Sequence, residues 1–303
     1  GHRTGTGDRS QSGLTPRNFR PAMALPGLAQ DIPGGPMKLD VAATLTYGFD
    51  SDTQVIAAIE AAQSADQTIL SESLIVSPGT ALVRDLHPET GERRFRAALS
   101  GQVEIRYRAL VDNGTRQPLG PGARQHDWSE LPQEVLPYLL PSRFSPSDEF
   151  MRFAQREFCS IQGGGARILA VLDWLHEHLD YVHGVSHAQT TAQHTFIDRA
   201  GVCRDFTHLG IALTRALNIP ARAVSAYALD LDPPDFHAVF EVYLDGRWWL
   251  VDPTRLAPIE GMVRIATGRD AADIAFLTSQ FNCQCLAQTI TVSRADNAGQ
   301  QAA

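Results

Sequence analysis

The chain is poor in several features that would each point to a function class. Only four of its 303 residues are cysteine (Cys159, Cys203, Cys283 and Cys285). That is too few for a disulfide framework in so long a chain, so a reducing compartment is the default and the expected location is cytoplasmic. Lys and Arg number 26 against 34 Asp and Glu, a net charge of −8 with a pI near 5.7. No block of basic residues appears, so neither nucleic acid nor a membrane is an expected partner, because either would call for a dense basic face. There is no secretory apolar region and no apolar run long enough to span a bilayer.

What is present is 43% hydrophobic and 20% charged, enough for a sizeable core and two compact units. Residues 1–36 are rich in Gly, Pro, Arg, Ser and Gln without periodicity and read as a leader, either disordered or added for expression. From Leu39, apolar residues alternate (Val41, Ala43, Leu45, Tyr47, Phe49), and the same period returns at Val103, Ile105, Tyr107, Ala109 and Val111. Both predict half-buried strands. Residues 69–76 and 94–99 are further strand candidates, and 53–63 are read as strand despite their alanines. The result is a β-rich N-terminal domain at 37–115.

Pro, Gly and Gln dominate from 116 to 147, which reads as a connector. A catalytic domain is expected over 148–290, followed by a tail at 291–303. Ser147-Asp148-Glu149 looks like a helix start, and 166–179 carries Ile168, Leu169, Leu172 and Leu175 on one stripe. Residues 203–217 place Phe206, Leu209, Gly210, Leu213 and Leu217 at helical spacing and stop at Asn218-Ile219-Pro220. Strands follow at 221–229, 236–244 and 247–252, the last two joined by Asp245-Gly246, a two-residue hairpin signal. Helices followed by a sheet make the fold class α+β.

Cys203 falls where Gly201-Val202 turns into that helix. Free backbone N–H groups and the positive helix end favour thiolate, the nucleophilic form. The hairpin adds two partners. A two-residue turn at 245–246 sets Leu244 opposite Arg247 and, counting back, Val239 opposite Asp252 and His237 opposite Thr254. His237 is then diagonal to Asp252 on one face, where Cα atoms sit roughly 7–8 Å apart, within reach of side chains that lean together. A carboxylate on one ring nitrogen fixes the tautomer and leaves the other nitrogen as a base for a thiol. Cys203, His237 and Asp252 form a coherent catalytic triad, although local spacing cannot bring the sulfur to the ring.

Gly201-Val202-Cys203-Arg204-Asp205-Phe206-Thr207-His208-Leu209, Asn218-Ile219-Pro220-Ala221-Arg222, Phe236-His237-Ala238 and Trp249-Leu250-Val251-Asp252-Pro253-Thr254 together resemble the transglutaminase-like superfamily, in particular its bacterial members provisionally classed as cysteine proteases. The resemblance implies a papain-like core with Cys203 as nucleophile, His237 as general base and acid, and Asp252 as orienter. It implies a thioester intermediate but not the acceptor. Hydrolysis of a peptide or isopeptide-type amide is the expected reaction, with a peptide or protein substrate; acyl transfer to an amine and a non-catalytic binding module are the alternatives. No EF-hand spacing is present, and no cofactor or metal is expected.

Several residues have a plainer reading beside a catalytic one. Trp248 shares the face of His237 and Asp252 by alternation, so it is a candidate substrate-binding residue or a core residue. Asp205 suits the helix dipole, and Arg204 reads as structural. His208 is turned about 140° from Cys203 around the helix. His176, His178, His183 and His187 lack a common ligand spacing, and Cys283 and Cys285 read as unpaired thiols. The backbone N–H of Cys203 is one oxyanion donor. For the second, Tyr181, Gln193 and His194 all lie upstream, and spacing selects none of them.

Overall fold

Alternation starts the first sheet and extends further than its apolar pattern alone suggests. The computed structural model describes residues 37–295, so the expected leader and residues 296–303 of the expected tail lie outside the described residues. Strand β1 (Lys38–Ala57) pairs antiparallel with β4 (Arg93–Asp112). Leu39, Val41, Ala43, Leu45 and Phe49 on β1 are buried with Ile105, Tyr107, Ala109 and Val111 on β4. The segments 94–99 and 103–111, expected as separate strands, form one. A bulge absorbs the break between them: pairing jumps from Phe49–Gly101 to Thr53–Leu99, and Gly101 takes φ +65°. Strand β2 (Thr68–Ser77) and the short β3 (Val83–Leu86) lie on the other side of β4.

Two expectations are corrected. The strand read over 53–63 ends at Ala57 because the following N–H groups leave the ladder. Ala58 donates to Phe276 O (3.0 Å), Ala61 to the Tyr107 hydroxyl (3.0 Å) and Ala62 to Arg264 O (2.8 Å). The C-terminal stretch also belongs to the first sheet. Strands β11 (Leu277–Ser279) and β12 (Cys283–Arg294) pair with β1, so the segment read as domain end and tail covers an edge of β1 that would otherwise be unpaired.

Between these strands in the chain lie the helices and a second sheet. The connector coils into short 3₁₀ turns at Trp128–Glu130, Gln133–Leu139 and Ser147–Phe150. Helices α1 (Met151–Phe158) and α2 (Gly164–His178) follow, then β5 (Asp180–Tyr181), α3 (Ala192–Asp198), β6 (Ala200–Gly201) and α4 (Cys203–Ala216). Strands β7 (Ala221–Ala228), β8 (Phe236–Leu244), β9 (Arg247–Val251) and β10 (Met262–Gly268) form an antiparallel sheet in the order β10-β7-β8-β9. Helix α4 is buried almost throughout and packs on this sheet. Gly210 permits the approach, since a Cβ there would meet the Phe240 ring at 2.7 Å. The α+β class read from the sequence is the observed one.

Buried polar contacts join the two sheets. The Tyr227 hydroxyl donates to Ile59 O (2.6 Å), Arg264 N–H to Gln67 Oε1 (2.7 Å) and Asn113 Nδ2 to Met262 O (2.9 Å). Glu241, wholly buried, accepts from Arg222 (2.7 Å) and Arg264 (2.6 Å). Burial raises its carboxyl, yet the two guanidinium groups outweigh burial and hold it below the usual range.

Candidate active site

The start of α4 is shaped by its own first turn. Val202 is extended (φ −111°, ψ −178°), and its N–H donates to Asp205 Oδ2 at 2.8 Å. Asp205 therefore acts at the helix start, as its position predicted. Gly201 makes room for it, because a Cβ there would lie 2.6 Å from Asp205 Cβ. Cys203 is half-buried, with its sulfur outside any disulfide.

The hairpin has the register that counting requires. Asp245 and Gly246 both take positive φ (52° and 75°), as a type I′ turn demands, and pairing runs from Leu244–Arg247 to Phe240–Val251. Just past the end of the ladder, His237 Nε2 donates to Asp252 Oδ2 at 3.1 Å, with Thr254 Oγ1 3.4 Å from the same nitrogen. Three further bonds aim the carboxylate. Thr254 N–H (2.9 Å) and Oγ1–H (2.7 Å) donate to Oδ1, and Ala257 N–H donates to Oδ2 (3.2 Å). Thr254 and Ala257 were not anticipated; the Asp-Pro-Thr turn was the available signal, since Asp side chains commonly accept from the backbone two residues on.

Helix and sheet are fastened beside the ring. Thr207, one turn beyond Cys203, donates Oγ1–H to Ala238 O at 3.0 Å, the residue after His237. The thiol thereby comes within electrostatic range of the imidazole, whose Nδ1 is buried and has no hydrogen-bond partner. Burial works against the imidazolium. The hydrogen bond to Asp252, its carboxylate charge and the nearby Cys203 sulfur overcome it and raise the ring to about 10. Asp252 is shifted the opposite way: burial raises it, but the bonds from His237 and Thr254 leave it below its ordinary value. The ring is thus a stable holder of a proton released by a thiol.

The other candidates fall elsewhere. Trp248 does share the predicted strand face, but it packs against Tyr138 (5.3 Å, edge-on), Tyr243 (5.2 Å) and the Arg222 guanidinium (4.1 Å). It lines a cleft of about 1000 Å³ whose walls include none of Cys203, His237 and Asp252. A smaller, mainly apolar cavity of about 410 Å³ reaches Asp252 from beside Leu119, Leu172, Leu250 and Ile259. His208 stacks on Phe144 at 5.1 Å and accepts from Ala271 N–H through Nε2 (3.2 Å). Burial pushes it down to about 3, which keeps it neutral. Arg204 donates to His187 O (2.8 Å) and ties down the loop after β5. Gln193 and His194 are engaged by Thr191 at the start of α3. Tyr181 pairs beside Gly201 and approaches Cys203. Among the described residues, no three His, Cys, Asp or Glu side chains are grouped to hold a metal ion.

Comparison with known proteins gives a consistent result. Residues 156–253 match the model of the transglutaminase-like superfamily, and residues 37–117 that of the bacterial transglutaminase N-terminal domain. A crystal structure of a provisionally named cysteine protease from Cytophaga hutchinsonii is 38% identical, with a TM-score of 0.82, over 86% of this chain and 91% of that one. An uncharacterized protein of Mycobacterium leprae is 26% identical over 176 residues, 52% of this chain. The matched region spans 62% of the length of that curated relative.

Proposed function

Because this chain belongs to the transglutaminase-like superfamily, we propose that it is a cysteine-dependent enzyme that hydrolyses amide bonds of the peptide or isopeptide type through a thioester. The observation that carries the reading is the His237–Asp252 hydrogen bond of 3.1 Å beside a thiol at a helix start. Cys203 gives its proton to His237 Nδ1, and the sulfur attacks the carbonyl carbon. The carbonyl oxygen becomes negative and is met by the backbone N–H of Cys203. Collapse breaks the C–N bond, and the amine leaves with the proton from His237. Water then loses a proton to the same ring, attacks the thioester and releases a carboxylic acid with the thiol restored. Asp252 stays ionised throughout, steadying the imidazolium and its tautomer.

The provisional name of the Cytophaga relative favours hydrolysis, and the same acyl-enzyme could pass to an amine. The test is incubation with glutamine-containing peptides and a labelled primary amine. Release of ammonia or peptide without label supports hydrolysis, and label incorporation moves the assignment to transfer. Cys203→Ala should abolish both, and turnover by that variant at the parent rate sinks the proposal.

A further inference from the structure

The carbonyl oxygen needs a second donor, and β5 brings one. Strands β5 and β6 pair in parallel, with Tyr181 opposite Gly201, and the Val182 N–H donates to Gly201 O at 3.0 Å. This short pairing holds the Tyr181 backbone one strand spacing, about 4.8 Å, from Gly201, which lies two residues before the nucleophile at the start of α4. The Tyr181 ring is directed along the first turn of that helix. It rests against Phe206 at 5.8 Å between centroids, with His183 edge-on at 5.4 Å behind it. The hydroxyl lies near Cys203, whose backbone N–H and thiol both act on it.

That position is where an oxyanion would form, since the N–H that the hydroxyl meets is the donor expected to hold it. We propose that Tyr181 is the second oxyanion donor, its O–H acting with the backbone N–H of Cys203 on the carbonyl oxygen of the substrate. In the free enzyme the hydroxyl sits beside the Cys203 N–H and the sulfur. An incoming carbonyl oxygen takes over the N–H, and the hydroxyl turns its proton onto that oxygen. As the S–C bond forms, the C=O π pair moves to oxygen; it returns when the C–N bond breaks. The tyrosine proton is donated in a hydrogen bond and never transferred. Burial, followed by the charge of Cys203, pushes the phenol above its ordinary value, which keeps it a donor. Gln193 and His194 are held at the cap of α3, leaving Tyr181 alone of the three upstream candidates beside the thiol.

The inference rests on the acyl-enzyme reading, and two reactions at the same sulfur separate them. Attack on p-nitrophenyl acetate builds an oxyanion, whereas alkylation by iodoacetamide displaces iodide and builds none. Tyr181→Phe keeps the ring against Phe206 and removes only the hydroxyl. It should slow acylation by about 10²–10³-fold, the usual cost of losing one oxyanion donor. Alkylation should change by less than about threefold, because it follows thiolate character and access. Equal losses in the two reactions would make Tyr181 a positioning residue for the sulfur and overturn the proposal, as would unchanged acylation. If Cys203→Ala releases p-nitrophenolate as fast as the parent, the cysteine reading itself fails and takes this inference with it.

Discussion

Replacing Asp252 by Asn keeps the shape of the side chain and removes the charge, and its effect is governed by the four bonds around the carboxylate. Asp252 accepts at both oxygens, from Thr254 N–H and Oγ1–H on Oδ1 and from His237 Nε2–H and Ala257 N–H on Oδ2. Asn has one acceptor and one donor group. If its oxygen stays with Thr254, its NH₂ points at two N–H groups; if it turns to His237, the Thr254 N–H loses its acceptor. Either choice leaves at least one buried donor unpaired, a loss of about 1–3 kcal/mol in unfolding free energy. Activity should fall further. The acid–base function proposed for His237 would then lack its orienter, a loss on the order of 10²–10⁴-fold in kcat/KM.

The pH profile separates this account from simple loosening of the fold. His237 is raised to about 10, so in the proposed mechanism the imidazolium that protonates the leaving amine persists until pH approaches 10. In Asp252→Asn the alkaline limb should move down by at least about one pH unit, because the main groups raising the ring include that carboxylate. Stability follows the same linkage. A raised histidine stabilises fully below its ordinary value of 6.5 and loses that contribution as pH rises through about 10. A depressed aspartate stabilises above its ordinary 3.8 and loses it as pH falls through the lower, folded value. The pair should therefore contribute most between about pH 4 and 6.5, and thermal melts of the Asn variant should be flatter on both sides of that window. An alkaline limb unmoved in the variant would refute the claim that Asp252 sets the proton affinity of His237.

Two other substitutions test the frame around the site. Arg264→Ala removes a guanidinium that bonds buried Glu241 and exposed Asp66. Urea denaturation should show a loss of about 3–5 kcal/mol, the cost of leaving a buried charge short of a partner, and a loss below 1 kcal/mol would mean the network is solvated. Gly201→Ala drives a methyl to 2.6 Å from Asp205 Cβ, which must disturb the start of α4. About 1–3 kcal/mol of stability should go with it, and iodoacetamide should label Cys203 more slowly; unchanged labelling and melting would show that the turn has slack.

Patterns with a short period were legible in the amino-acid order. Alternation over 39–49 and 103–111 marked β1 and the inner half of β4, and the turn signal Asp245-Gly246 determined a register that reaches from Leu244–Arg247 to the meeting of His237 and Asp252. The apolar stripe from Phe206 to Leu213 marked α4 with the thiol at its first residue. Trp248 shows the limit of such rules. Alternation assigned its face correctly, but a strand face extends for several residues, and Tyr138, Tyr243 and Arg222 claim the indole well along it from Asp252.

Contacts between segments distant in the chain were decided by packing alone. The return of β12 to β1, and the release of Ala58, Ala61 and Ala62 from the ladder to partners near 107, 264 and 276, depend on atoms that no local window contains. The approach of sulfur to imidazole is of the same kind. It depends on Thr207 bonding to Ala238 O and on Gly210 letting the helix close onto Phe240. Tyr181 could be named as one of three candidates from the chain, but only the parallel pairing of β5 with β6 singled it out. Sequence determines which short segments form and which side chains each offers on a face, because backbone geometry repeats every two residues in a strand and every 3.6 in a helix. How those faces meet is settled by burial and hydrogen-bond satisfaction across the whole molecule, and the chemistry proposed for this protein lies at such a meeting.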